Sequence, residues 1–266
     1  MKKNIISVRE LSYKKILNDI SFDIPEGAFV SISGSNNCGK TTLIKMLSGL
    51  ISSNNMVMIN GFKIESINKT KLFYDEGIVI LNENINFLFD TVKDEIMFIL
   101  DNIKMDEELK LNRYNSVLKL LNLSKYEKVN PNTLNRNNKI LVLLALAIIH
   151  KPKILYLDDI DSMMSKSERK NIMNVLHYLN KKENMTIVMA TSKLEMTLNT
   201  DYLYILSDGN LVLEGKPLDL LKDDNVINKL GLSIPFMVDL SVKLKDYDLI
   251  DNIILEMEGM VDLLWK

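Results

Sequence analysis

The chain has 266 residues, of which 47% are hydrophobic and 26% are charged, so it is long and apolar enough to bury a full core. A formal net charge of −2 argues against a nucleic-acid binder, whose contact surface is usually basic, and the single cysteine excludes an internal disulfide framework. The longest apolar run, Ile140–Ile149, is too short to cross a bilayer. We therefore expect a cytoplasmic globular protein with no nucleic-acid partner and no direct membrane span.

The first part of the chain predicts strands. Residues 4–25 alternate apolar and polar side chains, which is typical of short antiparallel strands, and Pro25–Gly27 reads as a turn. Phe29–Ser33 is predicted to be a buried strand. Tyr13 lies near the edge of the first strands and on its own indicates only ordinary packing.

A phosphate-binding pattern follows this buried strand directly. Gly34–Thr41 fits G-x-x-x-x-G-K-[ST], in which main-chain N–H groups surround nucleotide phosphates and the glycines allow close approach. Lys40 is expected to reach the β- and γ-phosphates, and Thr41 to give its hydroxyl to Mg²⁺. A helix starting at Thr42 adds a favourable dipole. The predicted nucleotide-binding residues of the loop are Gly34, Ser35, Asn36, Asn37, Cys38, Gly39, Lys40, Thr41 and Thr42.

The middle of the chain changes character. A strand at Met56–Ile59 leads into a hairpin turn, and Gly77–Leu81 is predicted to be another buried strand. Residues 83–150 show mostly helical periods, which interrupt an otherwise alternating α/β pattern. The candidate helices of this insert are Val92–Asn102, Arg113–Leu121 and Lys139–His150.

An apolar strand at Lys153–Asp159 ends in two carboxylates. In a protein with a phosphate-binding loop, the first of them, Asp158, is expected to hold Mg²⁺ together with Thr41. Without such a loop, an Asp after a strand is ordinary turn chemistry. Strands that alternate with helices predict a parallel sheet with its ligand at the carboxyl edge. The remaining predicted elements are a helix at Glu168–Asn180, a strand at Met185–Ala190 and a hairpin at Tyr202–Leu213.

With these motifs and elements in this order, the chain resembles the ATP-binding subunits of ABC transporters. More narrowly, it resembles the energy-coupling-factor ATPases of bacterial vitamin and metal uptake. The phosphate loop is intact, and Ile154–Asp159 matches the family's Walker B strand. The other segments that carry the resemblance are Leu11–Tyr13, Leu17–Gly27, Asp161–Met164, Asp208–Pro217 and Gly231–Phe236.

The resemblance implies an α/β fold with a P-loop NTPase (RecA-like) core, an antiparallel β subdomain, a helical subdomain at about 83–150 and a C-terminal helical extension. It implies an ATP-binding domain over 1–230 and an extension over 231–266 that serves dimerisation. The apolar residues of the extension lie at helical spacing, which fits packing on its own domain equally well: Phe236, Leu240, Leu244, Ile250, Ile254, Met257, Val261 and Leu264. ATP and Mg²⁺ are the implied cofactors. Tyr13 would stack on adenine, and Lys40 and Asp159 would be catalytic.

Several positions depart from the family. Its signature, Leu-Ser-Gly-Gly-Gln, falls on Leu134–Asn138, which has no glycine, and its Q-loop glutamine falls on Leu81. Its catalytic glutamate falls on Asp159, whose arm is shorter by one C–C bond, ~1.5 Å. Its switch histidine falls on Ser192, and its D-loop aspartate on Ser165. The binding machinery is therefore predicted to be intact and the hydrolytic machinery impaired.

Smaller expectations concern single side chains. Arg136, inside the signature segment, is predicted to be exposed and solvated, the alternative being that its charge replaces the missing glycines. His150 and His177 are predicted to be ordinary packing or surface residues. Cys38 is predicted to lie beside the bound phosphates, at a helix N-terminus that tends to lower the pKa of a thiol.

The sequence thus predicts a peripheral ATP-binding subunit of an energy-coupling-factor importer for a small molecule such as a vitamin or metal ion. Its expected partners are a second, different ATPase subunit and a transmembrane coupling subunit. One alternative is a pseudo-ATPase that binds nucleotide only to regulate or dimerise. A soluble ABC ATPase of ribosomes or DNA repair is disfavoured, because the acidic chain has neither tandem domains nor a long coiled-coil insert.

Overall fold

The computed structural model describes residues 3–80, 85–103, 105–162 and 164–264, with the backbone alone at Phe73. The strands in these ranges are β1 Asn4–Tyr13, β2 Leu17–Pro25, β3 Phe29–Gly34, β4 Val57–Ile59, β5 Phe62–Lys63, β6 Glu76–Ile80, β7 Ile154–Asp158, β8 Thr186–Thr191, β9 Tyr202–Ser207 and β10 Asn210–Gly215. The α-helices are α1 Lys40–Leu47, α2 Lys69–Asp75, α3 Val92–Asp101, α4 Glu107–Leu120, α5 Arg136–Ile148, α6 Lys166–Glu183, α7 Leu194–Thr197, α8 Pro217–Leu220, α9 Asp224–Lys229, α10 Phe236–Asp246 and α11 Met257–Leu264. Short 3₁₀ turns lie at Ile64–Ser66, Ser124–Tyr126 and Pro131–Thr133.

A six-stranded sheet in the order β10-β9-β3-β8-β7-β6 forms the centre of the fold. All neighbouring strands in it are parallel except β10, which is antiparallel to β9. Every residue of β3, β7 and β8 is buried, as expected for parallel strands that are covered on both faces. Asp158 pairs with Ala190, and Ser33 with Thr191, so the carboxyl ends of these three strands meet at one edge.

A smaller antiparallel sheet, in the order β2-β1-β4-β5, lies beside the large one. Ile6 of β1, Ile32 of β3 and Ile44 of α1 belong to one buried apolar cluster, so this sheet and the phosphate-loop helix share a core. The fold class is therefore confirmed: a mixed α/β core carries an antiparallel sheet, and helices interrupt the chain between β6 and β7.

Helices α3, α4 and α5 share a second cluster with the large sheet, through residues such as Ile96, Leu118 and Leu144. The three predicted helices of this insert are present, but α4 begins at Glu107 instead of Arg113. Its added first turns are rich in polar residues and lack an apolar stripe. Lys110 is buried there and pairs with Glu107 at 2.8 Å and Asp101 at 3.1 Å. Ion pairs of this kind involve charged side chains, so they do not contribute to the hydrophobic periodicity from which a helix is predicted in the sequence.

The C-terminal extension packs on its own domain through α10. Leu232 and Val238 lie in a cluster with Leu203 and Ile205 of β9, and the Ser241 hydroxyl donates to the main-chain oxygen of Ile254 at 2.8 Å. The predicted apolar face of α10 is wrong, because the buried face is the Val238–Ser241 side and Phe236 is 64% exposed. Several other apolar side chains of the extension are exposed: Tyr247, Leu249, Met257, Val261, Leu263 and Leu264.

No helix of the described residues is both long enough and apolar enough to cross a membrane.

A buried carboxyl group, Glu76, begins strand β6. Its Oε1 lies 3.3 Å from the Tyr156 hydroxyl, which also donates to the main-chain oxygen of Leu47 at 3.0 Å. A tyrosine hydroxyl has one hydrogen, so it can satisfy both oxygens only if Glu76 is protonated and donates. Burial raises the pKa of Glu76 to about 8. A hydrogen bond donated by Tyr156 to the ionised carboxylate opposes this shift, and the nearby charge of Asp75 adds to it. His150 contacts Glu76 through its main-chain oxygen, and Lys153 pairs with Asp75.

This group should make the stability of the fold depend on pH. A carboxyl whose pKa is raised by folding contributes stability that is complete below its unfolded pKa of 4.5 and is lost as pH rises towards 8. We expect the free energy of unfolding to fall between pH 5 and pH 8 by roughly 3–4 kcal/mol relative to Glu76→Gln, since one pKa unit corresponds to about 1.4 kcal/mol. Urea unfolding of both proteins at each pH measures this, with exposed Glu108→Gln as the matched control. A constant difference between parent and Glu76→Gln would contradict it.

Candidate functional site

The phosphate loop lies between the carboxyl end of β3 and the start of α1, in the predicted strand–loop–helix order. Both glycines of the loop, Gly34 and Gly39, are required by its geometry. A Cβ on Gly34 would lie 2.3 Å from the main-chain oxygen of Leu206 and 2.5 Å from the Cys38 sulfur. Gly39 precedes the helix with φ +108°, a conformation that L side chains rarely adopt. The first N–H groups of an α-helix make no hydrogen bond within the helix, and those of α1 point towards the phosphate loop. They favour the binding of an anion there.

The ammonium group of Lys40 lies inside the loop. The side chain is buried, and its Nζ donates to the main-chain oxygens of Gly34 at 2.9 Å and Ser35 at 3.0 Å. The loop and the first helical residue therefore concentrate positive charge in one place. This is the arrangement that a polyphosphate would require, and the role of Lys40 on the phosphates stays a prediction.

Thr41 and Asp158 come together although they are far apart in sequence. The Thr41 hydroxyl hydrogen-bonds the Asp158 carboxylate, while burial raises the pKa of that carboxyl above its usual range. Oδ1 of Asp158 is buried and has no hydrogen-bond partner among the described residues. A buried carboxylate oxygen left unpartnered beside a hydroxyl fits a hard divalent cation, since Mg²⁺ binds through oxygen ligands. The residues present therefore fit the implied Mg²⁺.

Asp159 occupies the turn directly after β7. Its φ of +47° is left-handed, which Asp tolerates better than most residues. Its main-chain N–H donates to the oxygen of Ala190 at 2.9 Å, and its Oδ1 accepts from the N–H of Ser192 at 3.2 Å. Asp159 stands at the position of the family's catalytic glutamate, and Ser192 at that of its switch histidine. These two residues are therefore directly hydrogen-bonded, through the main-chain N–H of Ser192.

Tyr13 ends β1, near the phosphate loop. Its main-chain oxygen accepts from the N–H of Ile16, and the main-chain oxygen of Ile16 lies 3.2 Å from a Cβ placed on Gly39. The ring is half-buried, and the Lys14 ammonium lies 5.1 Å from its centre. The structure therefore brings Tyr13 to the loop, while adenine stacking stays a prediction.

Cys38 lies inside the loop and is buried. The tendency of a helix N-terminus to lower a thiol pKa does not prevail here, because desolvation by burial raises the pKa of the thiol and outweighs the opposing effect of Lys40. A helix N-terminus lowers a thiol pKa only where the thiolate can remain solvated.

Labelling of Cys38 by maleimide should therefore be slow, and MgATP should slow it further by covering the loop. A stoichiometric adduct should abolish ATP binding, because Cys38 is part of the phosphate loop and a bulky group on its sulfur would compete with the phosphates. Mass spectrometry gives the extent of labelling, since the chain has one cysteine, and Cys38→Ala serves as the unlabelled control. Unchanged ATP affinity of the fully labelled chain would contradict the placement.

The signature segment forms the start of α5. The Asn135 side chain caps this helix by accepting from the N–H of Asn138 at 2.9 Å, so a helix N-terminus exists without glycines. The prediction of a solvated Arg136 is wrong. The side chain is half-buried, and its Nε is buried without a hydrogen-bond partner in the part of the chain that the structure describes.

Three other predicted positions, Ser165, His150 and His177, have structural roles. Ser165, at the D-loop position, caps α6 in a reciprocal pair with Glu168. His150 packs with its Nε2 2.9 Å from the main-chain oxygen of Glu76, and His177 packs on Phe29 with ring centres 5.3 Å apart. Leu81, and with it the Q-loop position, lies outside the described residues, as does Met163.

The sequence did not reveal a cluster behind Asp159. Asp161 is buried, its Oδ2 accepts from the Thr191 hydroxyl at 3.0 Å, and Lys193 donates to the main-chain oxygen of Asp161 at 2.8 Å. The only sequence signal is that charged residues follow both β7 and β8. Residues 192–195, Ser35, Asn36 and the start of the C-terminal extension at 231–235 line an adjoining cleft of about 420 Å³.

A family model described as "ABC transporter" matches residues 17–162, over half of the chain. The energy-coupling factor transporter ATP-binding protein EcfA of Pediococcus pentosaceus is 29% identical, over 88% of this chain and 86% of its own. The corresponding EcfA1 protein of Lactobacillus acidophilus is 28% identical, over 92% and 90%.

Solved structures show the same fold. The cbiO1 protein of Clostridium perfringens, described as part of the ABC transporter complex cbiONQ, has a TM-score of 0.77 at 24% identity, covering 90% of this chain and 99% of that one. A dimeric bacterial ABC transporter cassette has a TM-score of 0.71 at 23% identity, covering 80% and 98%. The chain therefore belongs to the ABC transporter family, as an ATPase of the energy-coupling-factor type.

Proposed function

We propose that this chain is the ATP-binding subunit of an energy-coupling-factor importer, and that it couples MgATP binding and slow hydrolysis to the uptake of a small molecule such as a vitamin or metal ion. The observation that carries the proposal is the convergence of Lys40, Thr41 and Asp158 at the carboxyl edge of the parallel sheet. Ligands of open α/β sheets bind at this edge.

The roles of the individual residues follow from their chemistry. The loop from Gly34 to Thr42 would surround the phosphates, with Lys40 donating to their oxygens. Thr41 and Asp158 would hold Mg²⁺, which neutralises charge on the phosphates when bound. Asp159 would orient a water molecule and accept its proton, and Tyr13 would stack on the adenine.

Two partners are part of the proposal. A second, different ATPase subunit is expected because the capped helix start at Leu134–Asn138 has no glycine to let its backbone approach a γ-phosphate. A transmembrane coupling subunit is expected because the relatives are named transporter ATP-binding proteins, while no described helix here can cross a membrane. The complex would place this chain on the cytoplasmic face of the cell membrane.

The boundaries we propose are an ATP-binding domain over 1–230, including a helical subdomain at about 83–150, and an extension over 231–266. The extension packs on its own domain through α10 and would contact the second ATPase through the exposed apolar side chains of α11. Met257, Val261 and Leu264 are exposed at helical spacing, which supports that contact.

A second candidate is a pseudo-ATPase that binds nucleotide without hydrolysing it. The observation in its favour is that Ser192, at the switch position, meets Asp159 only through its main-chain N–H. The test measures MgATP turnover by the complex that the affinity-tagged chain forms in its own cells, and compares it with turnover by the same complex carrying Lys40→Ala. Loss of turnover in the variant supports a working ATPase subunit. Unchanged turnover, with nucleotide binding by this chain abolished, supports the pseudo-ATPase.

A further inference from the structure

The segments that follow β7 and β8 are tied together by side chains that do not touch the phosphate loop in any described contact. The Thr191 hydroxyl donates to Oδ2 of Asp161 at 3.0 Å and accepts from the main-chain N–H of Lys193 at 3.0 Å. One hydroxyl therefore links the end of β8, the turn after β7 and the residue beyond the switch position.

Lys193 closes the same link with its ammonium group. Its Nζ donates to the main-chain oxygen of Asp161 at 2.8 Å and to that of Ser162 at 3.1 Å. The side chain is half-buried and bridges back across the sheet edge. Asp161 is 1% exposed, and its Oδ1 lacks a hydrogen-bond partner among the residues described. Burying such a carboxylate costs free energy, which the nearby ammonium offsets.

Ser192 lies between these two anchored residues. With Thr191 and Lys193 both bonded to the turn after β7, the main-chain N–H of Ser192 is held where it donates to Oδ1 of Asp159 at 3.2 Å. The backbone of Asp159 is held in turn by the oxygen of Ala190 at 2.9 Å. The direction of the Asp159 carboxylate thus depends on Ala190, Thr191 and Lys193, the neighbours of Ser192 in the chain.

We propose that Asp161 and Lys193 are positioning residues for ATP hydrolysis, which fix the Ser192 amide and through it aim the Asp159 carboxylate. The proposal rests on the proposed function, in which Asp159 orients the attacking water. The direction of the Asp159 carboxylate matters because its side chain is short and its backbone is held in a left-handed turn. A misplacement of about 1 Å at a reacting group can lower a rate by roughly 100-fold.

The test uses the assembled complex carrying Lys193→Met, which keeps the apolar stem and removes the donors, and Lys193→Arg, which restores donors. We expect Lys193→Met to lower kcat by roughly 10- to 100-fold, with ATP affinity unchanged within twofold and substantial recovery in Lys193→Arg. Lys181→Met is the matched control, because the exposed Lys181 ammonium pairs with Asp201 at 3.3 Å, outside this cluster.

A double-mutant cycle separates positioning from general destabilisation. If Lys193 acts through Asp159, then Lys193→Met should slow the parent complex but not a complex that already carries Asp159→Asn. An equal factor in both backgrounds would overturn the inference, as would a parent-like rate in Lys193→Met. Should Lys193→Met fail to fold, Thr191→Val against Thr191→Ser gives the same comparison.

The cycle also distinguishes the inference from the function on which it rests. If Asp159→Asn keeps the parent rate while Lys40→Ala abolishes it, the proposed role of Asp159 is wrong and the inference falls with it. If Asp159→Asn is slow and Lys193→Met is not, only the inference is wrong.

Discussion

Lys40→Ala should weaken MgATP binding by roughly 10- to 100-fold, because hydrogen bonds to charged groups contribute about 1.5–3 kcal/mol. The ammonium is buried within the loop and would donate to phosphate oxygens in place of the oxygens of Gly34 and Ser35. Titration calorimetry or fluorescent-ATP titration measures the change. Lys151→Ala is the matched control, since its exposed ammonium pairs with Glu183 away from the loop.

The same substitution removes two hydrogen bonds that hold the loop itself. Thermal unfolding without nucleotide therefore accompanies the titration. A lower affinity at an unchanged melting temperature assigns the loss to the phosphate contact. Equal affinity of variant and parent would refute the nucleotide site.

The parts of the site that the sequence predicted are those in which chain order fixes geometry. A buried strand, a glycine-containing loop and a helix in succession determine where Lys40 and Thr41 lie. Asp158 ends another strand of the same parallel sheet, so its side chain reaches the same edge as Thr41. The core strands and the main helices were also predicted, with boundaries that shifted by a few residues, because their hydrophobic periods are strong.

The wrong predictions concern side chains whose surroundings come from distant parts of the chain. Burial of Arg136 depends on packing that no local pattern records. The buried face of α10 is set by β9, which contributes Leu203 and Ile205 to the cluster around Val238.

The cluster of Asp161, Thr191 and Lys193 could not be predicted for a related reason. It requires the parallel register of β7 and β8, which places Asp158 opposite Ala190 and so brings the two following turns together. Strand register is a tertiary property, and a sequence pattern indicates only that each strand is buried.

The isolated chain should bind ATP but turn it over at least about 100-fold more slowly than the median enzyme, which turns over at about 10 s⁻¹. Within its own site, Asp159 is short, and Ser192 cannot become cationic. A homodimer would also close each site with Leu134–Asn138, whose helix start is capped by Asn135 and lacks glycine. Losing one preorganised electrostatic contact typically costs about 10²–10³ in rate, and several losses in one site need not multiply.

Mixing with the second ATPase subunit should raise turnover, because an intact signature would complete the site built on Lys40 and Asp158. The opposite site, built with Leu134–Asn138, should stay slow. Steady-state ATPase assays of the chain alone and of the mixture measure both rates. Turnover by the chain alone within the usual enzymatic range would contradict the prediction.

Asp159→Glu in the mixture then locates the deficit. The substitution restores the reach of the carboxylate, so a rise in rate assigns the deficit to the length of the side chain. The left-handed backbone at this position, φ +47°, costs a Glu roughly 1–2 kcal/mol, so the melting temperature of the variant must accompany its rate. A folded Asp159→Glu complex with an unchanged rate assigns the deficit to Ser192 or the signature segment. In that case Ser192→His, which supplies a side chain able to carry a proton beside Asp159, should raise the rate where Asp159→Glu did not.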